Sequence, residues 1–161
     1  MSLFLLRYGE LGLKAPGTRR RYEQKLADNL LQRLALAGIE ARIERHHRNA
    51  VALHAGLEAL GLQLVVPQES RLDQITPLWI PEGIDDLEVR QALLRDYRIE
   101  IGRGLGDFAG KAWRIGLMGE NSKPAAVLTL LSALEKILPQ EGYEVAQGQG
   151  VSAAEQKLGE P

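Results

Sequence analysis

Apolar positions along this chain follow two rhythms, one of about 3.6 residues and one of two, and they predict alternating helices and strands. From Leu3 to Tyr8 aliphatic and aromatic residues run together and stop at Gly9, which predicts a short buried strand. A loop through Gly12 and Pro16-Gly17 leads to Thr18, the expected cap of a helix. Its apolar positions Tyr22, Leu26, Leu30 and Leu34 keep helical spacing until the chain nears Gly38. The next stretch reads two ways. Ile39, Ala41 and Ile43 alternate with Glu40, Arg42 and Glu44 as a strand would, whereas Ile39, Ile43, Ala50, Leu53, Leu57 and Leu60 hold helical spacing over several turns. The longer pattern favours the helix.

Beyond Gly61 the pattern predicts strands over 62–66 and 75–80, the second closed by Pro81. Asp85 and Asp86 open a helix carrying Val89, Leu93 and Tyr97, because acidic residues suit a helix N-terminus. Short strands follow over 99–101 and 112–118, with a glycine cluster between them. Asn121 to Pro124 starts a last helix through Val127, Leu130, Leu131, Leu134 and Leu138, with proline in a first turn where it costs little. After Pro139 the chain turns to Gly, Gln, Glu and Ala, the composition of a flexible tail. The expected fold is α+β: a mostly antiparallel sheet with helices packed on one face. It divides into a βα unit over 1–38, a larger part over 39–139 sharing its core, and the tail over 140–161.

Length changes little in this picture, since 161 residues suit one domain or two small ones. Charge changes more. The net charge is −1, yet residues 1–33 carry seven basic side chains against three acidic ones. A basic start on an acidic body suggests an anion-binding face or two pieces of different history. The absence of cysteine removes disulfides and all thiol chemistry. The apolar start meets Arg7 and Glu10 too soon for a signal peptide or a membrane span, so a soluble, cytoplasmic protein is expected.

Among candidate sites, the glycines from Gly102 to Gly110 invite a phosphate-loop reading, but a strand follows where such a loop needs a helix. A turn between two strands fits better. His46, His47 and His54 have no well-placed carboxylate to complete a ligand set, so no metal is expected. Arg114 lies on the strand face opposite Trp113, Ile115 and Leu117, beside Gly116, where a guanidinium receives a carboxylate or stays an exposed or paired arginine. Lys14, Arg19, Arg20, Arg21 and Lys25 offer contacts to RNA phosphates or form a solvated helix end.

Arg7-Tyr8-Gly9-Glu10, Leu13-Lys14 and Arg20-Arg21-Tyr22-Glu23 resemble the opening of the tRNA 4-thiouridine synthetase family, over about the first 35 residues. That resemblance implies a ferredoxin-like βα element and an affinity for tRNA. From about Arg45 to Leu138 the chain instead resembles the small C-terminal domain of the class V alanine-glyoxylate and serine-pyruvate aminotransferases. The blocks that carry it are Arg45-His46-His47-Arg48-Asn49, Gly56 to Leu62, Ile80-Pro81-Glu82-Gly83, Gly104-Leu105-Gly106 and Trp113 to Gly119. It implies that Arg114 binds the substrate carboxylate. Transamination needs pyridoxal phosphate on a lysine, and Lys14, Lys25, Lys111, Lys123, Lys136 and Lys157 all lie outside any segment matching that lysine's motif.

The joint expectation is an engineered or recombined chimera with no catalytic residue of its own and no cofactor. Arg114 is then vestigial, tRNA binding is a secondary possibility, and homodimerisation would cover apolar surface that a parent enzyme buries.

Overall fold

The computed structural model describes residues 16–36 and 38–160; the strand expected over 3–8 and Lys14 lie outside them. The chain divides into two compact units, residues 1–42 and 43–161.

In the first unit helix α1 runs Pro16–Leu36 and starts two residues before the expected cap Thr18. Its first turn holds no acidic residue and its last holds Arg33. Gly38, at φ 70°, ends it in the left-handed conformation that only glycine adopts without strain, and its N–H donates to the Ala35 carbonyl at 3.1 Å. Helix α2 follows at once, Ile39–Ala59, so the ambiguous stretch is helical. Its buried positions in the second unit, Asn49, Ala50, Leu53, His54 and Leu57, repeat at three and four residues and face the core.

The second unit is built on a three-stranded antiparallel sheet in the order β1 (Ile75–Trp79), β3 (Ala112–Gly116), β2 (Gly102–Arg103). The strand expected over 62–66 contributes a single bridge, Leu64 to Leu78. The strand expected over 99–101 starts only at Gly102, because Arg98 ends the preceding helix at φ 58° and the Ile99 N–H still donates back to Leu93. That helix, α3, spans Asp86–Tyr97, and the Asp85 carboxylate accepts from the Leu87 and Glu88 N–H groups at 2.7 and 3.1 Å. Helix α4, Pro124–Gln140, packs on α3 and on a further helix, α5, Gln149–Gly159.

Alternation along the strands separates two faces. Thr76, Leu78, Trp113 and Ile115 are buried with the apolar side chains of α2, α3 and α4. Trp113, fully buried, donates from Nε1 to Asp86 at 2.8 Å, and the Arg90 guanidinium grips the same carboxylate with two bonds. The Arg90 hydrogen bond holds the Asp86 carboxyl below its ordinary range.

Residues 149–159 correct the expectation of a flexible tail. Val151, Ala154 and Leu158 turn one face of α5 to the core, and Ala154 has no exposed surface. The segment has no Ser, Thr, Asp or Asn at its start; Glu135, from α4, supplies the cap instead.

His54 is 8% exposed and its Nε2 lies 2.9 Å from Thr76 Oγ1. Desolvation, reinforced by the nearby Arg71, lowers its pKa from the ordinary 6.5. The unfolded chain therefore takes up this proton at a higher pH than the folded one. Stability from neutral His54 is complete above the unfolded value and falls as pH drops through about 6.5 towards the folded value. Urea midpoints between pH 8 and pH 5, on the order of one unit apart, should show this decline, and His54→Gln should flatten it. A wild-type profile that is flat across that window excludes the effect.

Candidate functional site

The outer face of the sheet carries Arg114. On β3 it stands opposite Pro77 of β1 and Gly102 of β2, and its neighbours on the same face are Ala112 and Gly116. Its Nε donates to the Arg103 carbonyl at 2.9 Å. A Cβ built on Gly102 would come within 3.3 Å of Nη2, so glycine at this position leaves room for the guanidinium. The two Nη groups have no hydrogen-bond acceptor among the described residues. The arrangement is a cation oriented through one nitrogen with its outward fork open, which suits two parallel bonds to a carboxylate.

The glycine cluster is the connection between β2 and β3, with one tight turn over Gly106–Phe108. Its glycines serve packing. A Cβ on Gly104 would collide with the Phe108 carbonyl and lie 3.0 Å from the Ala112 oxygen, while the Gly104 N–H donates to that oxygen at 2.7 Å. This tight return brings Phe108 against Trp79, with ring centroids 5.6 Å apart and planes at 44°. Trp79 pairs with Ala112, so the aromatic pair stands on the Arg114 face. Sequence reasoning missed it. The period of two along β1 places Trp79 on that face, but nothing local shows that a loop returns Phe108 to it.

The remaining candidates lie elsewhere. Arg19 is paired with Glu23 at 2.8 Å. Arg20, Arg21 and Lys25, with Gly17, Gln24 and Asp28, line a wide, shallow depression along α1. His47 Nδ1 approaches both Asp73 oxygens at 3.3 Å, and His54 faces Thr76. Among the described residues no three His, Asp or Glu side chains converge as a metal site would require, and no helix is long and apolar enough to cross a membrane.

Comparison with known proteins gives two similarities. The family model of the ThiI ferredoxin-like domain matches residues 3–58, beyond the first 35 or so residues that carry the sequence resemblance. The chain is also 39% identical over 117 residues to (S)-ureidoglycine--glyoxylate transaminase of Bacillus subtilis, covering 73% of this chain and 28% of that protein. It is 36% identical to alanine--glyoxylate aminotransferase of Drosophila melanogaster, covering 76% of this chain and 33% of the relative. The crystal structure of ureidoglycine-glyoxylate aminotransferase from Bacillus subtilis superposes with a TM-score of 0.73 at 39% identity, over 78% of this chain and 33% of that one. The fold is thus the α+β arrangement found in part of these aminotransferases. The chain spans about a third or less of the length of the curated relatives it matches. Residues 3–58 and the 117 aligned residues together exceed the 161 of the chain, so the two similarities share residues.

Proposed function

We propose that this chain is a carboxylate-binding small domain of a pyridoxal-phosphate aminotransferase, with Arg114 as the anchor for the carboxylate of an amino or oxo acid. The observation that carries this reading is the orientation of Arg114, held through Nε by the Arg103 carbonyl with its fork open on a face kept bare by Gly102 and Gly116. The match to aminotransferases over 73% of the chain supports it. The strand positions of this face, Ile75, Pro77, Trp79, Gly102, Ala112 and Gly116, offer no amine for a Schiff base and no carboxylate for a pyridine nitrogen. They do not fit the cofactor. What the face supplies is orientation: a fixed guanidinium turns a flexible acid so that its reacting carbon points one way. The chemistry belongs to the cofactor and to residues that hold it, and no turnover by this chain alone is expected.

The test is calorimetric titration of the protein with glyoxylate and alanine, with the Arg114 Nε–H resonance locating the site in the wild type. Arg114→Ala should weaken binding roughly tenfold to a hundredfold, the worth of charge-assisted bonds to a carboxylate. Unchanged affinity in that variant would end the reading.

A second reading rests on the basic row of α1 together with the ThiI ferredoxin-like match. Arg20, Arg21 and Lys25 would contact tRNA phosphates. Binding should then weaken as salt rises, and the triple alanine variant should shallow that slope by about two to three phosphate contacts. A slope identical to wild type excludes these residues. That the chain is recombined from two sources is a further proposal resting on the sequence pattern alone.

A further inference from the structure

Resting on the reading of Arg114 as a carboxylate anchor, we infer that the Trp79–Phe108 pair is an apolar shelf for the rest of the ligand, and that the domain prefers acids with an aromatic side chain. Trp79 lies two residues along β1 from Pro77, the residue opposite Arg114, which makes Trp79 and Arg114 diagonal neighbours on one face. The backbones of such neighbours are about 7–8 Å apart, and the guanidinium, which leans over Gly102 on β2, lies farther than that from Trp79 on β1. An extended acid whose phenyl ring stands two methylene groups from its carboxylate, hydrogen-bonded at one end and in ring contact at the other, bridges roughly 10 Å.

The pair is built into the fold. Phe108 reaches Trp79 because Gly104 permits the hairpin to close tightly, and Ala112 beneath them has only 1% of its surface exposed. Phe108 nevertheless keeps 44% of its surface open, and Trp79 is half-buried. Both residues thus keep open surface. Aromatic rings favour tilted or offset partners, and the open surface beside a 44° pair offers a third ring that geometry. The cation at one end and the rings at the other match a small amphiphilic acid and give no purchase to a neutral one.

The chain has two tryptophans, and Trp113 is fully buried behind the sheet, so quenching of indole emission by a ligand on the outer face reports Trp79. The experiment compares phenylpropanoate, propanoate and phenylpropanol on the whole chain, with Arg114 followed by NMR in parallel. Phenylpropanoate is expected to bind roughly fivefold to tenfold tighter than propanoate and to quench Trp79, with phenylpropanol weaker still. Phe108→Leu, an apolar change at a half-exposed position, should remove most of that preference while leaving propanoate binding alone. Equal affinity for the two acids, both lost in Arg114→Ala, would overturn the shelf and leave the carboxylate anchor standing. Phenylpropanoate binding that survives Arg114→Ala would also overturn it, since ring and carboxylate would not share a site. If neither acid binds, the anchor and the shelf fall together.

Discussion

Glu135→Leu is expected to release helix α5 and to cost about 3 kcal/mol of stability. Glu135 sits on α4 with 6% of its surface exposed. Its carboxylate accepts from the Gly148 and Gly150 N–H groups at 2.9 Å each and from Val151 at 3.2 Å. Those are the donors that a helix leaves unpaired at its first turn. Leucine would keep the volume and leave the donors without a partner, two of them part-buried and one buried. The negative charge also faces the positive end of α5, which offsets the cost of taking a carboxylate out of water. Glu135→Gln keeps one acceptor oxygen and should lose roughly half as much. Urea denaturation gives the size of the effect, and hydrogen exchange at Gly150 and Val151 gives its place. If those amides stay as protected in Glu135→Leu as in wild type, the cap has no such role.

Helix α5 also shows where sequence reading stops. Its start carries no capping side chain, because the cap comes from a residue fourteen positions before Gln149. A window of local composition holds no trace of that bond, and Gly, Gln and Glu around it read as tail. Val151, Ala154 and Leu158 did carry helical spacing, a weak signal over barely two turns. Elements whose cause is local were legible: α2 from its long periodicity, α3 from Asp85, and α4 from a proline where its missing N–H does no harm. The strands read over 75–80 and 112–118 were legible too, as β1 and β3, whereas the two shortest were not, because strand ends depend on pairing. Residues 62–66 pair with β1 at one bridge only, and the left-handed Arg98 delays β2.

The site divides the same way. The face of Arg114 follows from a period of two along β3, which the sequence displays. That its Nε meets the Arg103 carbonyl, and that Phe108 returns to Trp79, depend on the register of β2 and on the path of a glycine-rich hairpin. Both are tertiary facts with no local pattern to announce them.

Gly56→Val is the second change with a large expected effect, and it tests the same helix from its other side. Glycine inside a helix ordinarily costs about 1 kcal/mol relative to alanine, so by propensity alone this residue looks like a defect in α2. Its surroundings reverse the sign. A Cβ on Gly56 would collide with Leu131 of α4 and lie 2.8 Å from the Gly150 carbonyl of α5. A Cβ on Gly150 would in turn lie 2.8 Å from Leu60 Cγ and 3.1 Å from the Gly56 carbonyl. The backbones of α2 and α5 thus meet glycine to glycine, and a side chain at either position must push the helices apart. Valine at 56 should cost about 3 kcal/mol and alanine about 1–2, after the gain in helix propensity is set against overpacking. Gly17→Ala on α1, where nothing lies within 4 Å of the added carbon, should instead be neutral or stabilising by up to about 1 kcal/mol. Opposite signs for two helical glycines separate packing from propensity, and equal signs would refute the close approach. Because Gly56 and Glu135 both hold α5, the double variant Gly56→Val, Glu135→Leu should lose less than the sum of the two single losses. Once α5 is released by one change, the other has little left to disturb, so full additivity would mean that α5 docks through two independent contacts.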